Sequence, residues 1–200
     1  MEGEKPSRFE VRIHGRGGQG VVTAAELLSV AAFDEGRHAQ AFPSFGSERT
    51  GAPVVSFCRL DEVPIRTREP VAEPDALIVQ DPTLLHQVDL FAGLDREGYL
   101  LINSGSGFAE LGLEEFAAGF RPERLLTVPA GEIARRRFGR PLPNAALLGG
   151  FAALTGQLRL GSVQDAIRER FSGRAGEGNA AAAEDCFELV AEHVGSAANA

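Results

Sequence analysis

Six residues, Gly15-Arg16-Gly17-Gly18-Gln19-Gly20, constrain this chain more than any others. They separate an apolar strand pattern, Phe9 to His14, from an apolar helix pattern, Val21 to Glu35. A strand that turns on glycines into a helix leaves backbone N–H groups beside the positive end of a helix dipole, a geometry suited to phosphate or another anion. Gly15, Gly17 and Gly20 also fit the Gly-x-Gly-x-x-Gly spacing of dinucleotide sites. The alternative is a tight turn whose glycines serve positive φ or close packing alone. A second unusual segment, Phe42 to Pro53, follows soon after and carries Ser47, Glu48 and Arg49 in a loop of Gly, Ser, Pro and Phe.

Along the chain, strand and helix patterns alternate. Phe9–Ile13 alternates as a strand, Val21–Phe33 is helical and apolar almost all round, and His38–Phe42 and Val54–Leu60 are strands. So broad an apolar surface on the first helix calls for cover on most sides, by the sheet and by something else such as another subunit. Ala76–Gln80 and Tyr99–Asn103 are continuous apolar runs of the kind buried on both faces of a parallel sheet. Asp81 caps a following helix with Pro82 at its first position. A last strand covers Leu125–Val128. The C-terminal third reads as helices over Asn144–Thr155, Val163–Phe171 and Ala181–His193, with Ser172–Asn179 as a Gly-rich loop. This order predicts an α/β fold: a three-layer, mostly parallel, doubly wound, Rossmann-like sheet with a helical C-terminal third. One domain is expected over residues 8–194, preceded by a flexible tail, 1–7, and followed by a frayed end, 195–200.

Composition narrows the chemistry. A net charge of −8 opposes a nucleic-acid partner, which needs a basic face. No apolar run approaches the roughly 20 residues of a membrane span, and the polar first residues have no signal-peptide core, so the expected location is cytoplasmic. Lys5 is the only lysine, which removes a Walker-type phosphate lysine. Cys58 and Cys186 are the only cysteines, too few for an iron–sulfur cluster or a structural zinc. No His/Asp/Glu cluster has metal-ligand spacing, and Glu114 and Glu115, adjacent on a helix, diverge. Gly105-Ser106-Gly107 lacks the full nucleophile elbow. A nicotinamide site requires an acidic residue closing the second strand, and His38–Phe42 runs instead into Pro43. His14 is the one histidine beside the glycine turn and reads as hydrogen-bonded near the sheet edge. Arg49 can fork onto phosphate or carboxylate; equally, Glu48 and Arg49 can form a surface pair in a turn.

The two segments together, Gly15 to Ala25 and Phe42 to Val54, resemble the gamma subunit of 2-oxoacid:ferredoxin oxidoreductases. Pro64-Ile65, Asp81, Leu142-Pro143-Asn144 and Asn179 extend the resemblance, in order, over residues 8 to 194. It departs at Thr50, where many relatives carry a second basic residue. The related subunit of indolepyruvate-type oxidoreductases has a different loop at residues 47–51 and is the weaker match; a non-catalytic nucleotide-binding module is the reading from another class. The resemblance implies part of an enzyme that oxidatively decarboxylates a 2-oxoacid such as pyruvate or ketoisovalerate to its acyl-CoA, with electrons passed to ferredoxin. It implies alpha, beta and ferredoxin-like delta subunits (or fused equivalents) that carry thiamine diphosphate, Mg and the iron–sulfur clusters, with none bound by this chain. The gamma-type chain contributes to assembly and to the coenzyme A side of the active site. The expected contacts are Gly15, Gly17, Gly18, Gln19, Gly20, Ser47, Glu48, Arg49 and Asn144, with no catalytic or metal-binding residue.

Overall fold

A computed structural model describes residues 8–44 and 50–197. Six strands form one sheet in the order β2-β3-β1-β4-β5-β6: β1 (Phe9–Arg16), β2 (His38–Pro43), β3 (Pro53–Asp61), β4 (Ala76–Val79), β5 (Tyr99–Asn103) and β6 (Leu125–Val128). β1, β4, β5 and β6 pair in parallel. β3 is antiparallel to both β1 and β2, so it alone runs against the rest. The second and third strands are thus a hairpin, and β3 rather than β2 lies beside β1.

Alternation explains the continuous apolar runs. Ala76 and Ile78 of β4 face one core with Leu101 of β5, while Leu77, Val79, Leu100 and Ile102 face the other. The first core is roofed by helices α1 (Val21–Asp34), α3 (Ala130–Phe138), α4 (Asn144–Thr155), α5 (Leu160–Arg170) and α6 (Gly173–Ala197). α1 packs on β2 and β3 and against α5 and α4, so the C-terminal helices of its own chain supply much of the cover its sequence calls for. Phe33 remains 73% exposed.

The other face is covered by connections. The helix expected after Asp81 is a 3-10 turn, Pro82–His86, and α2 is only Glu114–Ala117. Irregular backbone carries carbonyls without ladder partners, which must find donors when buried. Arg12 of β1 supplies them, donating to the carbonyls of Val71, Ala72, Leu90 and Ala92. Arg59 of β3 donates to the Glu69 carbonyl and pairs with Glu10.

Three boundaries depart from the sequence reading. β1 continues through Gly15 and Arg16, paired with Val54 and Pro53. The Gly-rich segment 172–179 is not a loop: α6 begins at Gly173 and places Asn179 inside it, bonded to the Ala175 carbonyl. Its glycines serve close packing, since a Cβ on Gly176 would lie 2.0 Å from the Phe171 carbonyl oxygen and one on Gly178 2.7 Å from Phe138 Cβ. α6 also carries helix past Gly195 to Ala197. Among the described residues no helix is long and apolar enough to cross a membrane.

Candidate functional site

The chain leaves β1 for β2 and β3 on one side, then crosses to β4 on the other. The carboxyl end of β1 is therefore the point where the winding reverses, the usual place for a ligand in an open α/β sheet. The glycine turn occupies it. Gly18 (φ 93°) and Gly20 (φ 73°) adopt the left-handed conformation that favours glycine. Gly20 caps α1 with no side chain on the helix amides. The amides of the first turn have no acceptor within their own helix, so they face outward with the dipole. A cleft of about 240 Å³ opens there, lined by Arg16, Gly17, Gly18, Gly20, Val21, Val22, Thr23 and Val54.

The loop before β3 comes to the same place through the hairpin. Gly17 N–H donates to the Ala52 carbonyl (2.9 Å), and Gly51 N–H to the Gly17 carbonyl (3.1 Å). Ser47, Glu48 and Arg49 lie outside the described residues; their described neighbours, Thr50 to Ala52, abut the glycine turn.

The other expected residues stand behind the cleft. Gly15 is a packing glycine in β1, where a Cβ would meet Val21 Cγ2 at 2.6 Å and Gln80 Cβ at 3.2 Å. Gln19 has both ends of its amide engaged: its oxygen accepts from Arg16 N–H (2.8 Å) and its nitrogen donates to Asp81 (2.8 Å). Asn144 opens α4, is buried, and would touch a Cβ on Gly20 at 2.5 Å. It thereby brings a second helix N-terminus against the turn.

Arg16 is the residue the sequence reading passed over, although a basic residue within the glycine run was a visible signal. It lines the cleft, donates to the Gly51 carbonyl (3.0 Å), Thr83 Oγ1 (2.7 Å) and Gln87 Oε1 (3.0 Å), and pairs with Asp81 (3.2 Å). Burial pushes the Asp81 carboxyl up, but hydrogen bonds from Thr83 and Gln19 and the Arg16 charge outweigh it and hold the group below its ordinary value.

Several other chemistries lose their footing. Of the two strands beside β1, β3 begins rather than ends at this edge, and the acidic residue that follows β4, Asp81, is already engaged by Gln19, Thr83 and Arg16, which disfavours a nicotinamide ribose there. His14 is buried, and its Nε2 has no hydrogen-bond partner among the described residues. Burial, then the Arg12 charge, lowers its pKa to about 4. Both thiols are buried, and desolvation pushes each up to about 12. Among the described residues no group of three or more His, Cys, Asp or Glu could hold a metal ion. A larger hollow, about 870 Å³, lies at the opposite sheet edge among Phe9, Asp75, Tyr99 and Arg124. It stands at the amino ends of the strands, away from the turn and its helix dipole.

With this geometry in place, comparison with known proteins is specific. Residues 10–189 match the family described as pyruvate ferredoxin/flavodoxin oxidoreductase. The pyruvate/ketoisovalerate oxidoreductases common subunit gamma of Pyrococcus abyssi is 48% identical over 180 residues, 90% of this chain and 96% of that protein. Pyruvate synthase subunit PorC of Methanothermobacter marburgensis is 43% identical over 182 residues, 91% of this chain and 97% of that one. The crystal structure of pyruvate oxidoreductase subunit PORC from Thermotoga maritima superposes with a TM-score of 0.77 at 33% identity, covering 91% of this chain and 96% of that one.

Proposed function

Because the chain belongs to the pyruvate ferredoxin/flavodoxin oxidoreductase family, we propose that it is the gamma subunit of a multi-subunit 2-oxoacid:ferredoxin oxidoreductase, and that its glycine turn forms part of the coenzyme A side of the active site. Its partners are the alpha, beta and ferredoxin-like delta subunits, which carry thiamine diphosphate, Mg and the clusters. It works as one domain over residues 8–194, in the cytoplasm. The reaction is oxidative decarboxylation of an acid such as pyruvate or ketoisovalerate to its acyl-CoA. This chain supplies no group to the bond-breaking steps. Its part is to bind and orient.

One observation carries the coenzyme A assignment: the uncapped N-terminus of α1 and Arg16, whose guanidinium is held by Asp81, Thr83, Gln87 and the Gly51 carbonyl, line one cleft at the winding reversal of the sheet. Coenzyme A brings phosphates that need such donors, and a charge-assisted hydrogen bond contributes about 1.5–3 kcal/mol. Gly18 and Gly20 present the amides, Gly17 lines the cleft with its own N–H held by the Ala52 carbonyl, Gly15, Gln19 and Asn144 shape the turn, and Ser47, Glu48 and Arg49 extend the site from the neighbouring loop.

The test uses the assembled complex. Gly18 has open space around its Cβ position, so Gly18→Asn and Gly18→Asp share one backbone demand and differ in charge. Gly18→Asp is expected to raise the coenzyme A KM about ten-fold over Gly18→Asn, a difference of about 1.4 kcal/mol. The oxoacid KM should stay unchanged. Arg49→Ala is expected to act in the same direction by a similar factor. Coenzyme A kinetics identical in all three variants and the wild type would remove this reading. Dissociation of the complex by Arg49→Ala, with normal coenzyme A kinetics in what remains assembled, would make that loop an interface.

A further inference from the structure

The glycine turn is held from outside itself, and one carboxylate does most of the holding. Asp81 follows β4 and caps the 3-10 turn Pro82–His86, its Oδ1 accepting from Thr83 N–H (3.0 Å) and Thr83 Oγ1 (2.6 Å). Its other oxygen, Oδ2, turns toward β1. It accepts from Gln19 Nε2 (2.8 Å) and lies 3.2 Å from Arg16 Nε. Gln19 passes the contact on through its Oε1 to the Arg16 backbone N–H (2.8 Å), closing the turn upon itself. Arg16 passes it on to the Gly51 carbonyl (3.0 Å) in the loop before β3. Asp81 is not among the residues lining the cleft, whereas Arg16 is.

From this arrangement we infer that Asp81 is a positioning residue: through Gln19 and Arg16 it fixes the glycine turn and the start of the β3 loop in the one shape that presents their donors to the cleft. A turn containing Gly17, Gly18 and Gly20 has more backbone freedom to lose than one of the same length without glycine. Left to itself it would sample shapes in which the α1 N-terminus and Arg16 no longer line one cleft. A site held beforehand spares the ligand that ordering cost. The role rests on the coenzyme A reading for its consequence in turnover, but not for its effect on the turn.

The two parts are tested separately. In the full chain, Asp81→Ala and Gln19→Glu should each speed amide exchange of residues 17–22 at least ten-fold, with exchange in β4 and β5 unchanged. Gln19→Glu acts by facing one carboxylate with another. The double variant Gln19→Glu/Asp81→Asn reverses the donor and acceptor of that hydrogen bond and keeps an anion beside Arg16, so it should bring exchange back to within two-fold of the wild type. In the assembled complex each single variant should raise the coenzyme A KM at least five-fold, leaving the oxoacid KM within two-fold, and the double should restore it. Gln19 is partly exposed, so its variants decide the matter even where Asp81→Ala does not fold. Unchanged exchange in the Gln19→Glu chain, or no recovery in the double, overturns the inference. Exchange that rises and recovers while the coenzyme A KM never moves supports the positioning role and instead defeats the coenzyme A reading.

Discussion

His14 is buried in β1 just before the glycine turn, its Nε2 enclosed and without a partner among the described residues, with Arg12 on the same face of the strand. An ordinary histidine titrates near 6.5; burial, reinforced by Arg12, brings this one to about 4. The folded chain thus holds the neutral ring while the unfolded chain takes up a proton as the pH falls through 6.5. The sign follows from linkage. Stability is full above about pH 7, declines between about pH 6.5 and 4, and is flat below, with at most about 3 kcal/mol at stake. Between pH 7.5 and 5 the wild type should therefore lose about 2 kcal/mol more than His14→Gln in urea unfolding, the carboxylate contributions cancelling in the difference. Equal losses in the two chains would mean that the ring is hydrated. A sequence cannot reveal this, because alternation places His14 on a face without telling what covers it. Gly15 was legible for a similar reason only in part. The motif marks it as glycine, whereas its contact with Val21 and Gln80, and not a phosphate, is what excludes a Cβ there.

At the scale of elements, the sheet strands were legible because burial on both faces leaves an unbroken apolar run, as in Leu100-Leu101-Ile102. The winding was not. A hairpin and a crossover both join β2 to β3 without a sequence mark, and only the register of β3 against β1 distinguishes them. The start of α6 was misread because glycines lower helix propensity, by about 1 kcal/mol each, and tertiary packing overrode that preference. The same logic governs the crossing of α4 and α6. A Cβ on Gly149 would stand 1.9 Å from the Ala183 carbonyl oxygen, and one on Gly150 3.0 Å from the Cys186 sulfur. Gly149→Ala gains up to about 1 kcal/mol in propensity but forces two packed helices apart at backbone. Overpacking of this kind costs about 1–3 kcal/mol or more, so the steric effect wins. Thermal unfolding should fall by about 2–4 °C for each kcal/mol lost. Gly161→Ala, in α5 with open space around it, is the control and should leave the midpoint unchanged or slightly raised. A Gly149→Ala chain as stable as the control would show that α4 and α6 part at little cost.

The whole molecule is arranged to make one edge and to support it. β1 stands at the winding reversal, α1 and α4 both begin there, and the buried Arg12 ties down the connections on the far face without needing helices. The partner surface expected of α1 is supplied in good part by α4 and α5, and what the chain leaves uncovered is Phe33 with Val30. Among the described residues no group of three or more His, Cys, Asp or Glu could hold a metal ion. An iron–sulfur cluster takes four thiolate ligands as a rule, and the chain has Cys58 in β3 and Cys186 in α6, both fully enclosed. Burial pushes both thiols up to about 12 and encloses them, so neither side chain offers itself to iron or to an alkylating reagent. The purified chain is accordingly expected to be colourless, to carry no stoichiometric iron by metal analysis, and to leave both thiols unlabelled until it is unfolded. It should show no oxoacid-dependent reduction of a viologen dye with coenzyme A present. Addition of the partner subunits proposed above should bring the activity up in proportion to assembly, with this chain limiting at low ratios. Turnover by the isolated chain, or a complex lacking it that runs at full rate with an unaltered coenzyme A KM, would each contradict the subunit role: the first by placing the chemistry here, the second by leaving this edge with nothing to bind.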